Sequence, residues 1–110
     1  MPKVKNEHAL KVAAEIVAER DRQQAVEGWT PEHDDAHADG ELAEAATCYA
    51  ASSIAWIANR IPSDPLWNWP WSRAWWKPKD ARRDLIRAAA LIVAEIERLD
   101  RAALRGEVKP

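Results

Sequence analysis

The stretch "RRDLIRAAALIVAEIERLDRAAL" (residues 82–104) carries the clearest periodic pattern in the chain. Apolar residues recur in it at alternating spacings of four and three positions, which is typical of one face of an α-helix that packs against another helix. The sequence therefore predicts a long helix over residues 80–105, paired with another helix of the chain or with a second copy of itself. The residues of this predicted apolar face are Leu85, Ala89, Ile92, Ile96, Leu99 and Ala103.

Two earlier segments also have a helical pattern. The first helix is predicted over residues 6–27, with Asn6 as its N-cap and Gly28 after its end. Its apolar face becomes polar at Glu19, Arg20 and Gln23, which suits a helix that borders a polar cleft. The second helix is predicted over residues 40–60, because Asp39-Gly40 precedes an apolar pattern and Pro62 follows it.

The remaining segments are predicted to be irregular. Residues 28–39 are rich in acids and histidines, and residues 61–79 are rich in tryptophan and proline. Since no stretch alternates like a strand, we expect an all-α fold with a single helical domain over residues 1–110. Three or four helices would form a bundle, with the Trp/Pro-rich loop before the last long helix.

Composition narrows the class of protein. The 110 residues are 47% apolar and 31% charged, which is typical of one globular domain. The chain has no apolar run long enough to cross a membrane and no signal-peptide pattern, so we expect a cytoplasmic protein with no membrane partner. The single cysteine, Cys48, excludes an internal disulfide and a cysteine-based zinc site, and it is expected to be a small buried residue.

The net charge of −2 hides two regions of opposite sign. Residues 27–44 contain seven acids and no lysine or arginine, whereas residues 73–87 contain six basic residues and two acids. The first region would attract cations and the second would attract phosphate, or the two regions attract each other in the fold. The acidic region and the negative net charge make nucleic acid an unlikely partner.

Several acids could share a cation. Glu41 and Glu44 flank the predicted core face of the second helix, and Asp84 takes the same flanking position on the last helix. If the helices pack side by side, these carboxylates converge, and an all-oxygen set suits Mg²⁺ or Mn²⁺. The alternative is that acids in the first turn of a helix simply stabilise its dipole.

The order of these parts resembles the MazG-type all-α nucleoside triphosphate pyrophosphohydrolases. "GWTPEHDDAHADGELAEAA" is similar to the family's Trp-containing stretch and Glu-x-x-Glu helix, with Glu41 and Glu44 as the two glutamates. "RRDLIRAAALIVAEI" is similar to the start of its later helix, with Asp84 in the place of the family's aspartate. The chain also resembles small proteins found in phages and prophages. The resemblance implies Mg²⁺-dependent hydrolysis of a (deoxy)nucleoside triphosphate to monophosphate and pyrophosphate, with Glu41, Glu44 and Asp84 as catalytic residues and metal ligands.

One position departs from the family pattern. Ala81 stands three residues before Asp84, where the family has a glutamate. Either Glu19 or Asp80 then supplies the fourth metal ligand, or the site binds a nucleotide without hydrolysing it. We expect the substrate to contact residues from the polar end of the first helix, the acidic loop and the basic run. These residues are Arg20, Gln23, Trp29, His37, Lys79, Arg83 and Arg87.

Two further clusters have more than one interpretation. His33 and His37 could bind zinc with Asp34 or Asp35, contact a nucleotide, or only make structural hydrogen bonds. The tryptophans at 67, 69, 71, 75 and 76 could stack a nucleobase, although pinning the loop onto the helices is the more common role of such residues. The functions that remain open are the hydrolase, a nucleotide-binding module of the kind a phage could use to sequester a signal, and a protein-interaction adaptor. We expect a homo-oligomer in all three cases.

Overall fold

The computed structural model describes residues 5–66 and 68–107, and all regular structure within these ranges is helical. The all-α fold predicted from the sequence is thus confirmed. The four α-helices are α1 (Glu7–Ala25), α2 (Pro31–Asp35), α3 (Glu41–Ile57) and α4 (Ala81–Leu104), and one turn of 3-10 helix covers Arg73–Trp75. The three long helices lie within the predicted spans, whereas α2 is a short helix inside the segment expected to be a loop.

Side-chain caps explain where two of the helices begin. The Thr30 hydroxyl accepts a hydrogen bond from the backbone N–H of His33, and Pro31 occupies the first turn of α2. The Asp80 carboxylate accepts from the backbone N–H of Arg83 at the start of α4. Asn6, predicted to cap the first helix, makes no capping hydrogen bond and has a left-handed backbone with φ 61°.

The core lies between α3 and α4, which run antiparallel. Ser52 and Trp56, near the end of α3, both bond Asp84, near the start of α4. Many of the buried side chains along this contact are small, so the two backbones approach closely, and aromatic rings fill the remaining space. The core cluster comprises Leu42, Ala45, Ala46, Cys48, Tyr49, Trp76, Ala88, Leu91 and Ala94.

The face of α4 that meets α3 is not the predicted one. Ala88, Leu91 and Ala94 face the core, together with the polar Asp84 and Arg98. Of the predicted face, Leu85, Ile92 and Ile96 are exposed, while Ala89, Leu99 and Ala103 are half-buried. The alanine-rich face is the buried one because it allows close packing against the small residues of α3, and because Asp84 finds hydrogen-bond donors on α3.

Helices α1 and α2 both contact α4. Only the C-terminal part of α1 is well packed, with Glu19, Arg20 and Gln23 buried, and its residues before Val12 are exposed. Within residues 5–66 and 68–107, no helix combines the length and the apolar character needed to cross a bilayer.

Candidate functional site

Asp84 is fully buried and saturated with hydrogen bonds. One carboxylate oxygen accepts from the Ser52 hydroxyl at 2.8 Å and from the Trp56 indole N–H at 2.9 Å. The other accepts from the backbone N–H of Lys79 at 2.9 Å, and an Arg87 guanidinium nitrogen lies 3.6 Å from it. This carboxylate therefore ties α3, α4 and the segment before α4 together.

The structure does not bring Glu41 and Glu44 to Asp84. Glu41 precedes Ser52, a bonding partner of Asp84, by eleven positions on α3, or about 16 Å, and Glu44 precedes it by eight positions, or about 12 Å. Glu41 instead accepts a hydrogen bond from the backbone N–H of Asp39 at 2.6 Å. It also contributes to the raised pKa of Arg98, after the hydrogen bonds and charge of Glu95 and the charge of Asp35. Arg98 lies almost four turns along α4 from Asp84.

Neither proposed fourth ligand joins these acids. Glu19 bonds Arg22 through both of its oxygens, at 2.7 and 2.9 Å, and also bonds Arg83. Asp80 caps α4. Within the described ranges, no group of three or more His, Cys, Asp or Glu side chains could hold a metal ion. Because the predicted acids are separated or saturated by donors, they do not fit a shared Mg²⁺ or Mn²⁺ ion in this arrangement. The predicted convergence of Glu41, Glu44 and Asp84 is thereby corrected.

A second buried ion pair joins α1 to α2. The Arg20 guanidinium donates to Asp34 at 2.6 Å and to the carbonyl of Trp29 at 3.0 Å, and it also bonds Glu97 of α4 at 3.2 Å. These three contacts occupy N–H groups of the Arg20 guanidinium that would otherwise be free to bind a ligand. Arg20, expected to touch substrate, is therefore a structural residue that holds the α1–α2 connection against α4.

Two neighbouring cavities lie beside this network. The first, the aromatic cavity, has a volume of about 350 Å³ and is lined by Glu27, Trp29, His33, His37, Trp71, Ser72 and Trp75. The second, the polar cleft, has room for about one water molecule, at about 20 Å³. They are adjacent, since Glu27, Trp29 and Trp75 line both. The other residues of the polar cleft are Glu19, Arg22, Gln23, Tyr49, Lys77 and Arg87.

Stacked rings form the wall of the aromatic cavity. Trp29 lies nearly parallel to His33, with 6.2 Å between ring centroids, and Trp71 lies 5.4 Å from Trp29. The His37 ring is 4.3 Å from His33 and meets Trp71 edge-on at 5.8 Å. Nδ1 of His37 donates to the His33 carbonyl at 2.8 Å, so its Nε2 is an acceptor in the neutral ring. The wall offers both stacking faces and polar ring edges.

The histidines do not form the zinc pair that was one of their possible roles. Nδ1 of His33 lies 3.1 Å from Asp34, whose other oxygen bonds Arg20. Asp35 pairs instead with Arg101 on α4, at 2.9 Å. Both acids offered as a third ligand are thus committed to arginines, and the two histidines belong to the wall of the aromatic cavity.

Two buried polar atoms have no hydrogen-bond partner among the residues described, and they belong to residues that line the two cavities. They are Oε1 of Gln23 and the indole N–H of Trp71. The Gln23 amide donates from its nitrogen to Glu19 at 3.2 Å, so the carboxylate fixes the amide with its oxygen unpaired. A buried group left without a partner costs about 1–3 kcal/mol. The Trp71 donor belongs to the wall of the aromatic cavity, where an acceptor on a planar ligand would satisfy it, whereas the Gln23 acceptor borders the polar cleft.

The basic residues divide into two groups. Arg83 forms an ion pair with Glu19. Lys79 lies outside both cavities, near Asp80 and Arg82. Lys77 lines the polar cleft, and its ammonium lies 5.5 Å from the centroid of the Trp75 ring. Arg87 lines the same cleft and bonds the carbonyl of Lys77.

Of the seven predicted substrate residues, the cavities collect Gln23, Trp29, His37 and Arg87, but not Arg20, Lys79 or Arg83. Arg22, Glu27 and Tyr49 also line the cavities and were not predicted to be site residues. A signal for Glu27 was present, since Glu19, Gln23 and Glu27 follow one another at spacings of four within the span predicted to be the first helix, although α1 ends at Ala25.

No protein-family model, curated protein or solved structure matches this chain. The resemblance to the MazG-type pyrophosphohydrolases therefore stays a prediction from the quoted motifs. The residues that line the two cavities form the candidate functional site.

Proposed function

We propose that this protein binds a nucleotide, with the base in the aromatic cavity and the phosphates toward Lys77 and Arg87. The observation that carries the proposal is the aromatic cavity, whose tryptophans offer ring faces and whose Trp71 has an unpartnered indole N–H among the described residues. A heteroaromatic base supplies both donors and acceptors, and its faces stack on tryptophan. The volume of about 350 Å³ lies in the range of small-molecule sites.

Charge supports the placement of the phosphates. Lys77 has no carboxylate within ion-pair distance among the described residues, and Arg87 lies beside it. Both residues line the polar cleft, which is next to the aromatic cavity at Trp75. The cleft admits only about one water molecule, so a phosphate would lie at its edge and take its donors from these two side chains. Because nucleotides are abundant in the cytoplasm, we also propose that the protein acts in that compartment.

Binding without turnover is the function that this geometry supports best. The carboxylates expected to hold Mg²⁺ are bound by arginines, backbone N–H groups or hydroxyls, so metal-dependent hydrolysis would require them to change partners. The alternative function is MazG-type hydrolysis, which a nucleotide titration with Mg²⁺ also tests. The expected homo-oligomer is a separate proposal, because it depends on the outer face of α4 and not on the cavities.

The test is a titration of the purified protein with ribo- and deoxyribonucleoside triphosphates, with and without Mg²⁺. Tryptophan fluorescence and calorimetry record the binding. Nucleosides and inorganic tripolyphosphate separate the contributions of base and phosphate. We expect nucleotides to quench fluorescence and to bind more tightly than either fragment. Lack of binding at millimolar nucleotide would overturn the proposal. Release of pyrophosphate with Mg²⁺ would replace the binding module by the hydrolase.

Two matched variants locate the site. Trp71→Phe removes the unpaired indole N–H but keeps an aromatic ring, and the lost hydrogen bond of about 0.5–1.5 kcal/mol should weaken binding about three- to tenfold. Trp69→Phe is the control, since Trp69 lies outside both cavities and donates to the Ser72 carbonyl. Equal affinities of the two variants would place the ligand elsewhere.

A further inference from the structure

The outer face of α4 is a half-formed helix pair. Leu85, Ile92 and Ile96 are about half exposed, at 47%, 49% and 53%, although they lie in the middle of a regular heptad pattern. Such a pattern keeps its apolar seam turned toward one partner helix along its whole length. Here α3 and α1 occupy the other sides of α4, so this seam has no partner among the described residues.

The whole molecule exposes more surface than is expected of a folded monomer of its mass. Its accessible surface is 7249 Å², whereas a folded monomer of 12.4 kDa exposes about 6,100 Å². The surplus of about 1,100 Å² exceeds the roughly 800 Å² that each partner buries in a standard interface. The radius of gyration, 15.3 Å, is likewise larger than the value of about 13 Å for a compact domain of this length.

Helix α1 adds a second apolar surface. Glu15 bonds Arg82 and Arg20 bonds Glu97, so five residues of α1 contact points fifteen residues apart on α4. The residues of α1 before Val12 are all exposed. Leu10 and Val17, one heptad apart on α1, are 59% and 60% exposed.

We propose that a second copy of this chain covers the seam, with the two α4 helices antiparallel about a two-fold axis near Ile92. This register brings Ile92 onto its own counterpart, Leu85 opposite Leu99, and Ala89 opposite Ile96, so that apolar side chains face each other along the seam. It also brings opposite charges together at the edge of the seam, where Arg82 already bonds Glu15. Arg82 and Asp100 are both exposed and eighteen residues apart, which is five full turns, so they share one edge. An antiparallel partner brings its Asp100 near Arg82, whereas a parallel one would place like charges together.

Sedimentation equilibrium of the full chain tests the proposal. We expect a dimer at micromolar concentration, and a folded monomer for the double variant Ile92→Lys/Ile96→Lys, since both changes are at sites exposed in the single subunit. Ile54→Lys/Ile57→Lys is the matched control, because these isoleucines of α3 are more exposed but lie off the seam. A monomeric parent, or a double variant that still dimerises, would overturn the proposal.

A measurement on the parent alone remains decisive if the variant fails to fold. A dimer that unfolds to single chains has a Tm that rises with protein concentration, whereas the Tm of a monomer does not change. We expect a clear rise over a hundredfold range of concentration, and a constant Tm would contradict the dimer. The test is independent of nucleotide binding, because none of the seam residues lines the aromatic cavity or the polar cleft.

Discussion

Asp84 shows how a single buried acid can organise a small helical protein. Its two oxygens accept from a hydroxyl and an indole of α3 and from a backbone N–H in the segment before α4. A buried charge is stable only when its partners replace the hydration that it has lost. Asp84 meets this condition, so its role in the described structure is to hold α3 and α4 in register.

Replacing Asp84 with Asn should destabilise the protein by about 2–4 kcal/mol, because the new NH₂ group would face donors and Arg87 would lose a nearby charge. Urea denaturation measures the change. Asp80→Asn is the control, since asparagine caps a helix about as well as aspartate and should cost less than about 0.5 kcal/mol. Equal midpoints for the two variants would show that the buried bonds of Asp84 contribute nothing measurable.

Glu19 is the second organising acid. Burial acts to raise the pKa of its carboxyl, but the hydrogen bonds and charges of Arg22 and Arg83 outweigh this, so the pKa lies below the ordinary value of 4.5. A group whose pKa falls on folding stabilises the native state above its unfolded pKa. That stabilisation is lost as the pH falls through the lowered, folded value.

Glu19→Gln should therefore be less stable than the parent at pH 7, by about 2–4 kcal/mol. The difference should narrow as the pH falls below about 4.5, where the parent protonates the same carboxyl. Chemical denaturation at a series of pH values provides the measurement. Glu15→Gln, which removes an exposed partner of Arg82, should change stability much less. A gap between Glu19→Gln and the parent that stays constant down to pH 3 would contradict this account.

At the scale of elements, the Trp/Pro-rich segment serves both the core and the cavity. Trp76 is buried, stacks on Tyr49 at 4.8 Å and donates to the Pro62 carbonyl at 3.2 Å. Trp75, its neighbour, is 46% exposed and lines both cavities. Trp76 therefore pins the loop onto the helices, and Trp75 lines the cavities. The two roles considered for this cluster belong to different residues. Trp67 lies outside the described residues.

The two adjacent tryptophans should respond differently to truncation. Trp76→Ala should cost about 3–5 kcal/mol, because it removes a buried ring and leaves a cavity. Trp75→Ala should cost less than about 1 kcal/mol and yet weaken nucleotide binding at least fivefold through lost stacking, given about 1–3 kcal/mol per stacked base. Thermal unfolding and fluorescence titration measure the two effects. Similar stability losses in both variants would show that the segment packs as one unit.

For the whole molecule, the charges are arranged in a way that the sequence pattern did not indicate. The acidic and basic regions were expected to attract each other or to remain solvated. Instead, acids of residues 27–44 pair with arginines of α1 and of the end of α4, as in Asp34 with Arg20 and Asp35 with Arg101. The basic run pairs with acids of α1, as in Arg83 with Glu19. Part of each region is thus neutralised by charges that lie outside the other region.

Local information was enough to predict the three long helices and the burial of Cys48. Helix formation depends on periodicity, capping residues and proline positions that lie within a few residues of one another. The sequence also predicted Gln23, Trp29, His37 and Arg87 to be substrate-binding residues, because polar and aromatic residues next to a core face suit a cleft. These four residues do line the two cavities.

Only the tertiary structure decided which face of α4 is buried and which acids meet. Both faces of that helix are apolar, so its periodicity alone could not distinguish the alanine-rich face that packs on α3 from the isoleucine-rich face left outside. The antiparallel register of α3 and α4 separates Glu41 and Glu44 from Asp84, and the crossing of α1 delivers arginines to Glu19. Such contacts join residues far apart in the chain, and their choice depends on close packing and on satisfying every buried charge, which no local pattern records.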